Sequence, residues 1–228
     1  MQLIERTAIL VFAESVKLQV SKKKLDSSTQ SNIQLHQKLH SKSLQVAQKS
    51  GFDIHYIDES KQKGSSFGAR IANAAQQVFE IGYENIIIIG SDCPDLSKKD
   101  LLKANKLLTS QRIVLGPDLR GGAYLIGLNR ANFCQSRFEH LDWQTKDLRK
   151  SFTSYARELS QSIEWLDSKV DFNTKEEISE YWTISRSIRQ VINLLRPFIG
   201  FNFLSSTAYY SFYFIGSNNR RGPPVLFA

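Results

Sequence analysis

Ile86-Ile87-Ile88-Ile89-Gly90-Ser91-Asp92-Cys93-Pro94-Asp95-Leu96 decides the fold. Four consecutive isoleucines read as a strand buried on both faces, the mark of a parallel sheet covered by helices on each side. The strand stops at Gly90, and Pro94 blocks its continuation. Asp92 therefore falls at the carboxyl end of a central parallel strand, where open α/β sheets place their ligand sites. A local role competes with this one: Asp92 or Asp95 caps the helix that starts near Ser97.

Outward from that strand, apolar runs alternate with helical patterns. Thr7 to Ala13, Phe52 to Ile57, Arg112 to Leu115, Ala123 to Leu128 and Ser162 to Leu166 read as strands. Ile33, Leu35, Leu39 and Val46 mark a helix ending near Gly51. Phe67 to Ile81 is helical and ends at Gly82, a C-cap residue. Ser97 opens a helix to Leu108 with Asp100 three residues on, a variant capping box. Thr145 to Leu159 is helical, and Thr174 caps a helix with Glu176 and Glu177 in its first turn and Ile188, Val191, Ile192 and Leu195 further on. Residues 14–32 are polar and rich in lysine and serine, which predicts a mobile loop. Repeated strand-then-helix units predict a single three-layer α/β domain with a mostly parallel sheet over residues 1–196. An aromatic C-terminal extension, 197–228, follows.

The 228 residues carry a formal charge of +8, with 41% hydrophobic and 23% charged residues. That charge suits an anionic small molecule. The lysines are scattered apart from Lys22-Lys23-Lys24, with no basic run interleaved with aromatics, so no nucleic-acid partner is expected. Cys93 and Cys134 form no disulfide framework and no zinc knuckle. With no signal-peptide layout ahead of the first strand, the expectation is a reduced, cytoplasmic location. Residues 198–217 carry no charge and are crowded with Phe and Tyr. Extra strands, a membrane or partner contact, and a poorly ordered extension all remain open for them. His36 and His40, at i and i+4, have no evident third ligand and read as a solvated helix face. Oligomeric state is not legible.

Four blocks carry a resemblance: Gln62-Lys63-Gly64-Ser65-Ser66-Phe67-Gly68-Ala69-Arg70; Gly90 to Leu96; Leu115-Gly116-Pro117 with Gly121-Gly122-Ala123-Tyr124-Leu125-Ile126-Gly127-Leu128; and Trp143-Gln144-Thr145. Together they resemble a bacterial glycosyltransferase-like family of formerly unknown function. It lies among the nucleotide-diphospho-sugar transferases of glycosyltransferase-A fold and is related to the molybdenum-cofactor guanylyltransferases. The resemblance implies transfer of a sugar from a nucleotide diphosphate sugar to an unknown acceptor. Alternatives are a nucleotidyltransferase acting on a phosphorylated small molecule, and a catalytically degenerate member that only binds ligand.

The resemblance also assigns residues. Nucleotide binding falls to Ala13 and Glu14, Lys22 and Lys24 in the loop after the first strand, and Gly64 and Arg70. Asp92, Arg120 and Asp171 are the catalytic candidates. Gly121, Gly122, Trp143 and Thr145 are the substrate candidates. A Mg²⁺ or Mn²⁺ ion would be held by Asp92 and Asp118. Two departures stand out. Gln19 replaces the glycine of the first loop, where a backbone must approach phosphate closely. Arg120 replaces the family's second acid and cannot ligate a metal. Asp118 then substitutes as ligand, Arg120 itself replaces the metal, or catalysis is lost. For Gly121-Gly122 a plain turn competes with sugar contact, for Arg70 a surface salt bridge with phosphate binding, and for Asp171 the cap of the helix after Thr174.

Overall fold

The structure, a computed structural model, describes residues 6–108 and 111–180. Six strands form one sheet: β1 (Thr7–Phe12), β2 (Asp53–Ile57), β3 (Asn85–Ile89), β4 (Arg112–Pro117), β5 (Ala123–Asn129) and β6 (Ser162–Trp165). Their order is β2-β1-β3-β5-β4-β6. β1 runs parallel to both β2 and β3, and β4 runs parallel to β6. β5 is antiparallel to β3 and to β4. The reason is length: residues 118–122 leave room for a hairpin and none for a crossover helix.

The helices are α1 (Val16–Lys22), α2 (Thr29–Ser50), α3 (Phe67–Glu80), α4 (Lys98–Leu107), α5 (Gln135–Glu139), α6 (Leu148–Glu158) and α7 (Lys175–Glu180). They cover both faces of the sheet. Alternate side chains of a strand point to opposite faces, and β3 divides its isoleucines accordingly. Ile86 and Ile88 join a core with Ala72 and Ala75 of α3 and Phe152 of α6. Ile87 and Ile89 join a second core with Val46 and Ala47 of α2 and Leu101 and Ala104 of α4. All four are at most 3% exposed. Full burial of one such side chain is worth about 1.5–3 kcal/mol. At the amino end of β3, Asn129 Nδ2 donates to Asn85 Oδ1 (2.8 Å) and Asn132 Nδ2 to the Arg112 carbonyl (2.7 Å), which ties β3, β4 and β5 together.

The terminators read from sequence act as expected. Gly51 closes α2 in the left-handed region at φ 85°, and Gly82 follows α3 at φ 107°. Ser97 and Asp100 make a complete capping box at α4. Asp92 therefore has no part in that cap.

Three expectations are corrected. Residues 14–32 are not a loop. α1 is capped by Ser15, whose hydroxyl accepts from Leu18 N (3.4 Å), and α2 is capped by Ser28. The signal was absent because Gln19 is the buried residue of α1, so no apolar period marks it. His36 and His40 do not lie on a solvated face. His36 is 1% exposed, and its Nε2 donates to the Lys23 carbonyl (3.1 Å). The His40 ring meets Tyr56 edge-on with centroids 5.3 Å apart. The buried stripe of α2 includes Asn32, His36 and Ser43, polar residues that an apolar count passes over. The helix expected from Thr145 begins at Leu148, because Thr145 Oγ1 accepts from Asp147 N (3.1 Å) in the preceding turn. The extension at 197–228 and the apolar stretch at 188–195 lie outside the described residues. Among those described, no helix is long and apolar enough to cross a membrane.

Ser97→Ala removes one half of the α4 box. It is expected to destabilise the protein by about 1 kcal/mol, read as a lower urea midpoint with unchanged slope.

Candidate active site

The site is a cleft along one end of the sheet. It receives the carboxyl ends of β1, β3 and β4. Because β5 is reversed, its amino end, with Ala123 and Tyr124, arrives at the same edge. The cleft has two lobes, of about 550 Å³ and 290 Å³, that share Phe12, Lys23, Gly90, Asp92, Gln144 and Asp171 among their walls.

The predicted residues divide between the lobes. Ala13, Glu14, Lys22 and Arg70 line the smaller one. Arg120, Gly122, Trp143 and Thr145 line the larger one, with Asp118. Three predicted binders, Lys24, Gly64 and Gly121, lie elsewhere. Lys24 is exposed and is not part of either wall. α1 ends at Lys22 and the chain is extended at Lys23, so the inward position falls to Lys23 and its neighbour turns out. Gly64 stands against the first turn of α3. A Cβ there would lie 2.6 Å from Ala69 Cβ and 2.9 Å from Arg70 N, so its glycine serves packing. Gly121 has a similar task. Its φ is 101°, and a Cβ would sit 2.4 Å from the Lys146 carbonyl oxygen. The glycine thus lets the 118–122 hairpin close onto the 144–147 segment.

Lys23 is the cleft lysine that the sequence reading passed over. Its ammonium pairs with Asp92 Oδ2 and donates to Asn173 Oδ1 (2.8 Å). Its backbone is held on both sides. The amide donates to the Gln19 carbonyl (2.8 Å). The carbonyl accepts from Asn32 Nδ2 (3.0 Å) and His36 Nε2 (3.1 Å). Burial lowers the pKa of His36, which keeps it neutral. Gln19, read as a lost glycine, donates to Ser91 Oγ (2.6 Å), and Ser91 Oγ donates to Asp92 Oδ1 (3.1 Å). Lysine abundance flagged this segment, but only the end of α1 selects which lysine turns inward.

The segment after β6 completes the floor. It continues beside β4 through Lys169, whose amide donates to the Pro117 carbonyl (3.1 Å), and reaches β3, where Phe172 N donates to the Asp92 carbonyl (3.0 Å). Asp171 is thereby placed under the cleft. It does not cap α7. That cap is Thr174 with Glu177, whose Oε2 accepts from Thr174 N (3.2 Å) and Asn173 N (2.7 Å). Asp171 Oδ1 is sealed from solvent with no hydrogen-bond partner. Burial first, then the Asp92 and Asp118 carboxylates, push its pKa up to about 8.

Arg120 forms an ion pair with Glu177, which is 3% exposed. Asp118 closes the hairpin, its Oδ1 accepting from Arg120 N (2.7 Å) and Gly122 N (2.8 Å). Trp143 belongs to an aromatic cluster with Phe67, Phe138 and Phe152, its Nε1 donating to the Phe138 carbonyl (2.9 Å). Gln144 beside it holds φ 61°, an uncommon backbone for a non-glycine residue, at the junction of the lobes.

Mg²⁺ or Mn²⁺ needs oxygen ligands not already committed to donors. Both oxygens of Asp92 are already engaged: Lys23 pairs with Oδ2, and Ser91 donates to Oδ1. Asp118 spends Oδ1 on two turn amides, and the second family acid is Arg120. Among the described residues no group of three His, Cys, Asp or Glu side chains is spaced to hold an ion. The donor set does not fit a resident divalent cation.

The α/β fold is shared with a Desulfovibrio desulfuricans G20 protein described as a nucleotide-diphospho-sugar transferase, which superposes with TM-score 0.67 at 21% identity, over 85% of this chain and 98% of that one. A Mycobacterium sp. strain JC1 homologue of Rv0371c superposes with TM-score 0.50 at 14% identity, over 84% of this chain and 100% of that one. Among curated proteins none matches. The chain belongs to the family of uncharacterized proteins conserved in bacteria (DUF2064), which matches residues 22–145.

Asp171 makes stability depend on pH. Its folded pKa is above its unfolded value, so the unfolded chain releases this proton at lower pH than the folded one. Stability is fully present below about pH 4 and falls as pH rises toward 8. Asp171→Asn imitates the protonated acid and removes that loss. At pH 8 the variant is expected to melt several degrees above the wild type. The gap should shrink toward pH 4 in differential scanning fluorimetry.

Proposed function

We propose that this protein is a transferase that takes a nucleotide diphosphate sugar as donor and delivers the sugar to an acceptor bound in the larger lobe. The observation that carries the reading is the two-lobed cleft, with the half-buried Asp171 at the junction and basic side chains on both sides. The smaller lobe, with Ala13, Glu14, Lys22 and Arg70, suits the nucleotide. The larger lobe, with Gly122, Trp143 and Thr145, suits the sugar and acceptor. Asp171 takes the proton from the attacking acceptor hydroxyl. A general base works best when its pKa lies near the working pH, and a value of about 8 meets that condition. The acceptor oxygen bonds to the anomeric carbon as the bond to the diphosphate breaks, and the electron pair leaves with the nucleoside diphosphate.

A nucleotidyltransferase reading is weaker. It calls for a glycine-rich first loop whose amides approach a triphosphate. Here α1 fills that position, and Gln19 turns inward to Ser91.

A thermal-shift panel of nucleoside diphosphates and their sugar esters tests the donor. A ligand present at a hundred times its Kd adds about 2.7 kcal/mol, so a true donor should raise Tm by several degrees. No shift with any of them would end the reading. With a donor in hand, Asp171→Asn should lower kcat by roughly 10²–10⁴-fold while leaving donor affinity unchanged in calorimetry.

A further inference from the structure

The site holds a positive charge where a diphosphate would meet it, and that charge belongs to the chain. Lys23 sits on the wall shared by both lobes. An ammonium has three donors. Asp92 and Asn173 take two of them, which leaves one for a ligand. The backbone on either side is fastened to Gln19, Asn32 and His36. Asn173 is itself positioned by Glu177, and Asp92 by Ser91 and the Phe172 amide. The ammonium is therefore held by structure on every side except the cleft. A divalent ion on Asp92 would have to expel it. Arg120, on the wall of the larger lobe, supplies a second fixed charge.

We infer that the Lys23 ammonium is the resident cation of this cleft, so that a diphosphate group binds there without a divalent metal. The ligand class is a nucleoside diphosphate or its sugar ester, and this part rests on the donor reading above. Lys23 binds the bridging and outer phosphate oxygens. Asp92 acts as a positioning residue that holds the ammonium and does not touch the ligand. Arg120 reaches the same diphosphate from the other lobe as a planar fork.

The experiment is isothermal titration of the full chain with ADP, GDP, CDP, UDP and inorganic pyrophosphate, each in EDTA and in Mn²⁺. Mn²⁺ alone is followed in parallel by electron paramagnetic resonance. The wild type is expected to bind pyrophosphate and at least one nucleotide in EDTA, changed by less than about threefold on adding Mn²⁺. It should take up no Mn²⁺ by itself. Lys23→Met should weaken binding in EDTA by about tenfold or more, the loss of a charge-assisted hydrogen bond. Lys23→Arg should restore most of it. If Lys23→Met fails to fold by circular dichroism, Asp92→Asn decides. Its amide oxygen still accepts from the ammonium, which Asn173 also holds, so binding in EDTA should persist. Wild-type binding that vanishes in EDTA and returns with Mn²⁺ overturns the inference, as does loss of all binding in Asp92→Asn with Mn²⁺ present. Binding of pyrophosphate through Lys23 with no nucleotide bound leaves the inference standing and removes the nucleotide donor. Absence of binding by every probe overturns both.

Discussion

Burial of β3 on both faces is the constraint on which the rest of the molecule depends. A strand whose successive side chains are all apolar cannot lie at an edge or face water on one side. Ile86 and Ile88 demand one helical layer and Ile87 and Ile89 another, and α3 with α6 and α2 with α4 meet the two demands. β3 must then be central, with β1 on one side and β5 on the other. Once it is central, its carboxyl end opens into the interior of a strand-end cleft. Gly90, Ser91 and Asp92 are thus delivered to that cleft by the packing of residues that have no chemistry of their own.

The cleft is assembled from pieces far apart in sequence, and each is held by ordinary structural devices. α1 ends at Lys22, so Lys23 turns inward. The α7 cap at Thr174 and Glu177 orients Asn173 and gives Arg120 a partner. The reversed β5 supplies Ala123 and Tyr124 to the same edge that receives the ends of parallel strands. Charges of both signs are interleaved there. Lys22, Lys23 and Arg120 are paired with carboxylates, whereas Asp171 lies beside two other acids with one oxygen sealed from solvent, which raises its pKa. Positive charge fixed by the chain and an acid of raised pKa are two consequences of one crowded floor.

Much of this was legible from residues alone. Periodicity and capping signals located all six strands and α2, α3, α4 and α6 to within a few residues, because those elements state their burial in their own side chains. Gly51, Gly82 and the Ser97–Asp100 box are local signals that need no partner. The block from Gly90 to Leu96 marked Asp92 because a strand that stops at a glycine followed by an acid has few other uses. α1 stated nothing of the kind. Its buried residue is a glutamine, and its helical character depends on the serine before it and on the partners of Gln19 and Lys23 across the cleft. His36 and Asn32 were misread for the same reason: they are buried to hold a carbonyl of another element, and that carbonyl is distant in sequence from neither yet invisible to a hydrophobic count.

What the sequence by itself determined was the sheet's centre, the layers that cover it and the end at which chemistry collects. These follow from apolar pattern and turn chemistry, which act over a few residues. Tertiary structure alone decided which of three adjacent lysines enters the cleft, that Arg120 turns to Glu177 instead of standing beside Asp118, and that Asp171 lies sealed next to Asp92 and Asp118. Each of those outcomes joins side chains separated by tens of residues. The energy that selects them is an ion pair, a shared hydrogen bond or a desolvated carboxylate, and it exists only once the strands have been set side by side.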